Sequence, residues 1–348
     1  MQDREPPLRG RVALVAGATR GAGRGIACML GAAGATVYCS GRSVRGAPSP
    51  MGRPETIEET AELVEARGGR GIAVRTDHTR EAEVERLVSR IRDEQGRLDV
   101  LVNDVWGGDP MIDWSGRFWT LDLEAARRLV DQAVFSHLAT ARHAAALMVA
   151  QGSGLIVEVT DAAGDGYRGH LLYDLVKAAV RRLGYAMAWE LLPAGVTALS
   201  ATPGFLRSEA VLDHFGVTEA NWRDAVAQDP FFAQSETPFF LGRGIAALAA
   251  DPEVRALAGA VLTAGDLAAR YGFTDVDGGR PDFGGYFDEV AEALAARGGE
   301  LSADERFLLL ARYRDVHRDP SRAAQARRLA AGLGFSALGT GLSPAGGL

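Results

Sequence analysis

The chain has 348 residues, of which 47% are hydrophobic and 24% charged, with a net charge of −7. That length suits one α/β domain of about 250 residues with additions, or two domains, and the acidic balance gives no basic footprint for nucleic acid. No run approaches the roughly 18 uninterrupted apolar residues of a membrane-spanning helix, and the opening MQDREPPLRGR lacks the apolar core of a secretory signal.

In chain order, residues 11–16 (RVALVA) predict a buried strand ending at Gly17. A helix over 24–33 closes on Gly34, and a second strand covers 36–40. Cys28 and Cys39, the two cysteines, fall in these apolar stretches and read as reduced thiols of a cytoplasmic protein. A turn-rich insert follows at 43–54, then a helix (55–67), a strand (71–76), a helix (80–95) and an apolar strand (98–102). A long helix with a broken start is expected over 123–151, then a strand at 154–160, a helix at 173–192 and strands at 196–201 and 259–263. Strands alternating with helices of this length predict an α/β fold with a doubly wound parallel sheet of about seven strands. Such sheets bind ligands at the carboxyl ends of their strands.

Two segments fall outside the alternation. Residues 205–242 carry Trp222, Phe231, Phe232, Phe239 and Phe240 among turn residues and read as a substrate lid. Residues 281–348 form a helical C-terminal extension beyond a domain of residues 1–280. Within it Ser302 and Glu305 form a capping-box pattern, and the closing SALGTGLSPAGGL has the composition of a flexible tail. No internal repeat is present.

The first strand runs into Gly17-Ala18-Thr19-Arg20-Gly21-Ala22-Gly23 and then a helix. Glycines at that turn let the backbone approach a pyrophosphate, and the helix N-terminus offers amide donors. After the second strand, Ser40-Gly41-Arg42 contains no acid to accept from both ribose hydroxyls. Arg42, with Arg20 in the glycine loop, is suited instead to a 2′-phosphate, favouring NADP(H).

One lysine stands among the 38 Lys and Arg residues, and it lies four positions after Tyr173. Residues i and i+4 share a helix face. An ammonium beside a phenol favours the phenolate, so Tyr173 and Lys177 together predict an acid–base pair for a carbonyl.

These motifs, in this order, resemble the short-chain dehydrogenase/reductases over residues of about 10 to 265, with Ala16 where the family has Thr before the glycines. The resemblance implies a Rossmann-like fold and an NADP(H) cofactor held by the glycine turn with Arg42, Asp77, His78, Asn103, Tyr173, Lys177, Pro203, Gly204, Leu206 and Ser208. It also implies a homodimer or homotetramer built on the two long helices. Three departures stand out. The motif after the fourth strand reads Asn103-Asp104-Val105-Trp106-Gly107-Gly108. Ala133 aligns with the family's relay Asn, with Ser136 and His137 one turn on. The catalytic Ser is replaced by Thr160 or Asp161, of which Thr160 can donate to a carbonyl and an ionised Asp161 cannot. The set resembles a branch of the family that includes vertebrate and bacterial members.

The expected activity is NADPH-dependent reduction of a ketone or aldehyde, with Trp106, Tyr167 and Phe205 among aromatic residues that suit a bulky, apolar substrate. The replaced Ser and Asn leave two alternatives: other chemistry on the same fold, such as imine reduction, epimerisation or dehydration, or a non-catalytic NADP-binding sensor or scaffold. The expected partners are a small-molecule substrate, with no nucleic acid and no membrane.

Overall fold

A computed structural model describes residues 5–47, 51–161, 163–164, 166–297, 299–317 and 319–334. The closing stretch expected to be flexible, and residues 48–50 of the insert, lie outside the described residues. The chain forms two compact units. One contains Met1–Ala163 and Arg168–Pro281, and the other Gly164–Tyr167 with Asp282–Leu348.

The first unit is built on seven parallel strands: β1 (Val12–Ala16), β2 (Thr36–Gly41), β3 (Arg70–Arg75), β4 (Val100–Asn103), β5 (Gly154–Val159), β6 (Val196–Thr202) and β9 (Val261–Thr263). Their order is β3-β2-β1-β4-β5-β6-β9. The chain leaves β1 for β2 on one side, and β4 returns to its other side, so the crevice beyond the ends of β1 and β4 is the switch point where such sheets take ligands. The expected doubly wound α/β fold is therefore present.

The strands read as near-continuous apolar runs because helices cover both faces. On one face α1 (Gly21–Ala32), α2 (Ile57–Glu65), α8 (Pro238–Ala250) and α9 (Ala264–Tyr271) enclose Val15, Ile26, Leu30, Val102, Phe240 and Leu267. On the other, α3 (Glu81–Gln95), α5 (Ser136–Gln151) and α6 (Leu171–Leu191) enclose Leu14, Tyr38, Leu101, Met148 and Ile156. Each such side chain, fully buried, contributes about 1.5–3 kcal/mol. Close backbone approach sets the α1–α8 spacing: a Cβ on Gly25 would lie 2.0 Å from the Pro238 carbonyl oxygen. Cys28 and Cys39 are buried free thiols.

The helix expected over 123–151 is two helices, α4 (Leu123–Val130) and α5, joined by a π-turn at Asp131–Phe135. Hydroxyls compete there for helix carbonyls: Ser136 Oγ donates to the Gln132 carbonyl at 2.6 Å and Thr140 Oγ1 to that of Ser136 at 2.7 Å. The widened turn buries Gln132, whose Nε2 holds the Trp106 carbonyl at 2.8 Å.

The segment expected as a lid begins with β7 (Phe205–Leu206), α7 (Glu209–Phe215) and β8 (Ser235–Glu236), with Val217, Trp222, Ala225 and Phe232 as its own small core. Its last residues differ from a lid, because Phe239 and Phe240 open α8 and Phe240 is buried in the main core.

In the second unit α10 (Phe283–Arg297), α11 (Ala303–Val316) and α12 (Ala323–Gly332) pack around Ala291, Leu309, Val316 and Leu329. The Ser302 capping box forms as its sequence suggests, with Ser302 Oγ accepting from the Glu305 amide at 3.2 Å and Glu305 Oε2 accepting from the Ser302 amide at 2.9 Å.

Candidate active site

The turn after β1 is held by the strand beside it: the Gly17 and Ala18 amides donate to the Ser40 carbonyl at 2.9 and 3.0 Å. Gly17 sits at φ +89°, and a Cβ there would lie 2.2 Å from the Asp104 carbonyl oxygen, so the position requires glycine. α1 therefore starts at Gly21, three residues before the start expected from the sequence, and Ala22 and Gly23 form its buried first turn. The Thr19 carbonyl accepts from Arg24 Nε at 3.0 Å, which fixes the loop from behind.

The N-terminus of α1 already carries an anion supplied by the chain. Glu209 Oε2 accepts from the Gly21 amide at 2.8 Å, and Arg24 Nη1 stands 3.7 Å from the same carboxylate. Leu206 and Ser208 lie beside Gly21, and Ser208 caps α7 by accepting from the Val211 amide. A carboxylate on this amide shows that the donor set takes an anionic oxygen, as a pyrophosphate requires. Across the turn, burial pushes the Asp104 carboxyl up to about 7, against the opposing effects of Lys177, His137 and the Gly23 amide.

The two arginines expected at a 2′-phosphate differ in their surroundings. Arg42 makes no ion pair among the described residues, and its charge helps hold Asp77 low once burial, which acts the other way, is overcome. Arg20 is engaged: its Nε donates to Glu55 at 3.0 Å, and Glu55 also takes Arg53 at 2.8 Å. Asp77 accepts from the Thr79 amide and hydroxyl. His78 points inward, its Nδ1–H donating to Thr140 Oγ1 at 2.8 Å while Nε2 meets Ser40 Oγ at 2.9 Å. Burial drops its pKa to about 3, so it is neutral.

At the end of β5 the chain turns into a loop that returns to α6. Tyr173 and Lys177 project from one face of α6 toward that strand end. Tyr173 Oη donates to Asp161 Oδ2 at 2.7 Å. Arg168 grips the same carboxylate, with Nη2 at 2.8 and 2.9 Å from its two oxygens and Nε at 3.3 Å. Burial opposes ionisation of Asp161, but Arg168, Tyr173 and Lys177 outweigh it and hold the pKa below the usual value. Tyr173 moves the other way: burial, then the Asp161 charge and hydrogen bond, raise its pKa. The sequence-based expectation was a phenol made acidic by Lys177; here burial first, and then the Asp161 carboxylate bonded to Tyr173 Oη at 2.7 Å, act in the opposite direction.

Lys177 Nζ stands 4.1 Å from the centroid of the Trp106 ring and 5.5 Å from that of Tyr173. Burial lowers its pKa, offset by Asp161, Asp104 and Asp109. Trp106 and Trp114 pack on Tyr173 with ring centroids at 5.5 and 5.2 Å. Thr160, the other candidate for the Ser role, is buried, and its hydroxyl donates to the Lys177 carbonyl at 2.8 Å. The structure brings Asp161 to Tyr173 and commits the Thr160 hydroxyl to the helix.

Other expected residues lie apart from this cluster. The Asn103 side chain is buried, donating to Glu158 at 2.7 Å and to the His137 carbonyl at 3.2 Å. His137 binds Glu158 at 2.6 Å through Nδ1 and the Val105 carbonyl at 3.0 Å through Nε2, so it braces the sheet end and does not reach Tyr173 as a relay group would. Ala133 is buried in the π-turn. Phe205 packs on Phe232 at 5.2 Å within the small core of the segment expected as a lid, and Trp222 lies there under Arg207. Tyr167 belongs to the second unit, where its ring meets Phe307 at 6.3 Å. Beyond Pro203, the Gly204 amide donates to Glu236 Oε2 at 3.0 Å, and burial pushes this carboxyl up to about 8.

Sequence reasoning passed over Arg168, Glu209, Asp104 and Glu236. Arg168 and Glu209 act from a loop and a short helix whose positions follow no period. Asp104 replaces an amide in an otherwise recognisable motif, and that substitution was its one visible signal.

Residues 11–214 match the family model described as short chain dehydrogenase. The chain is 36% identical over 277 residues to dehydrogenase/reductase SDR family member 1 of Mus musculus, covering 78% of this chain and 85% of the relative. It is 32% identical over 203 residues to a 3-oxoacyl-[acyl-carrier-protein] reductase of Synechocystis, covering 58% and 76%. Among solved structures, a short chain dehydrogenase of Mycobacterium thermoresistibile aligns with a TM-score of 0.66 at 22% identity, covering 80% of this chain and 92% of that one. A hydroxysteroid dehydrogenase of Escherichia coli aligns at 0.60 and 23%, covering 74% and 96%, and both share the fold.

Proposed function

The chain belongs to the short-chain dehydrogenase family, and from that premise we propose that it is an NADPH-dependent oxidoreductase that reduces a ketone or aldehyde, with Tyr173 as proton donor. The observation that carries this reading is the cluster of Tyr173, Asp161, Arg168 and Lys177 beyond β5, on the same side of the sheet as the glycine turn. When bound, the nicotinamide supplies a hydride to the carbonyl carbon. Tyr173 gives its proton to the carbonyl oxygen, so the product is an alcohol. The phenolate left behind would face Asp161, but Arg168 and Lys177 balance the two negative charges. The amides of α1 would hold the pyrophosphate, Arg42 the 2′-phosphate, and Lys177 would turn from Trp106 toward the ribose. Trp106 and Trp114 support a bulky, apolar substrate.

The same reading makes the protein a cytoplasmic homodimer or homotetramer. Phe135, Leu138 and Val149 leave apolar surface exposed along the π-turn and α5, as do Leu171, Leu175, Tyr185 and Trp189 on α6, and this supports pairing of subunits through those helices.

The test is NADPH oxidation, followed at 340 nm, against a panel of ketones and aldehydes. Tyr173→Phe is expected to lose at least about a hundredfold in kcat, and Lys177→Arg about tenfold or more. Unchanged turnover in Tyr173→Phe refutes the mechanism.

A further inference from the structure

The hydrogen bond between Tyr173 and Asp161 imposes a requirement on the substrate, given the reductase reading above. Asp161 is gripped by Arg168 through both oxygens and accepts from Tyr173 Oη at 2.7 Å. Its side chain is 24% exposed, so a bound substrate can reach it. As an ionised carboxylate it accepts hydrogen bonds and donates none. It cannot orient a carbonyl oxygen as a hydroxyl would, and it repels the charge that oxygen gains during reduction. Thr160 does not make up the loss, because its hydroxyl is spent on the Lys177 carbonyl at 2.8 Å.

Proton donation by Tyr173 adds a second difficulty. Its O–H must turn from Asp161 to the substrate oxygen, which leaves the carboxylate short of a donor. A plain ketone offers nothing in return. A ketone with a hydroxyl on the neighbouring carbon does, because its two oxygens are spaced like a hydrogen-bonded pair, as are Tyr173 Oη and Asp161 Oδ2. We propose that Asp161, positioned by Arg168, selects α-hydroxy ketones, whose hydroxyl donates to Asp161 as Tyr173 turns to the carbonyl. The hydride goes to the carbonyl carbon and the Tyr173 proton to the carbonyl oxygen. The substrate hydroxyl keeps its own proton, and the product is a vicinal diol.

The experiment compares 2-hydroxyacetophenone with 2-methoxyacetophenone, which differ in the donor and keep an oxygen on the same carbon. Wild type is expected to favour the hydroxy ketone in kcat/KM by about ten- to a hundredfold, the range of a hydrogen bond to a charged group. Asp161→Ser, which restores a neutral donor, is expected to reduce that ratio by about tenfold or more. Asp161→Asn serves as a second variant of the same shape, with circular dichroism to confirm folding. Equal ratios in wild type and the folded variants overturn the inference and leave the reductase reading intact. Failure of wild type to reduce any carbonyl compound in the panel overturns both.

Discussion

Glu209→Gln tests whether the carboxylate on α1 competes with the cofactor. Glu209 Oε2 accepts from the Gly21 amide at 2.8 Å, at a helix N-terminus where a pyrophosphate would seat. Binding must move this side chain off the amide and keep its charge away from the phosphates. A hydrogen bond to a charged group is worth about 1.5–3 kcal/mol and one to a neutral amide oxygen about 1 kcal/mol. Replacing the carboxylate therefore removes about 0.5–2 kcal/mol of competition, while Arg24 keeps its 2.7 Å pair with Glu59 and its bond to the Thr19 carbonyl. The expected result is NADPH affinity raised about two- to thirtyfold. α7 keeps a second tie in the variant, through Arg53, whose Nη2 lies 2.9 Å from Asp213. Isothermal titration of wild type and variant with NADPH at fixed ionic strength measures the change. An unchanged or weaker affinity refutes the reasoning, because it places the anion seat elsewhere or makes Glu209 a supporting residue.

Arg42→Gln is expected to weaken NADPH binding by about ten- to a hundredfold while NADH binding stays within about twofold. Arg20→Gln should cost less, since Glu55 already holds that guanidinium, and titration with both cofactors checks the order. Glu236→Gln addresses pH. The Glu236 carboxyl titrates at about 8 when folded, against 4.5 as a free side chain, with Asp275 and Arg207 as its charged neighbours. Its contribution to stability is fully present below pH about 4.5 and is lost as pH rises to about 8. Relative to the Gln variant, which keeps an acceptor for the Gly204 amide, wild type should lose up to roughly 5 kcal/mol across that window. Urea denaturation at pH 5, 7 and 9 measures it, and parallel pH curves for the two proteins refute the assignment.

The sequence by itself determined the sheet. Apolar runs such as those of β1 and β4 can be satisfied only between two helical layers, and the glycines after β1 suit a turn where Gly17 has no room for a Cβ. The helix period likewise put Tyr173 and Lys177 on one face, because i and i+4 are neighbours whatever surrounds them. What the tertiary structure decided was the environment of those residues. Thr160 and Asp161 are adjacent in sequence, and a count along the chain cannot say which meets Tyr173. The answer depends on Arg168, which arrives from the loop and binds Asp161, and on the Lys177 carbonyl, which takes the Thr160 hydroxyl. Glu209 is 188 residues from the amide it holds, and His137 and Glu158 meet across the sheet end. Local periodicity carries no information about such pairs. Charge and hydrogen-bonding partners are set by packing at long range, and here they make an acceptor of the position where a donor was expected.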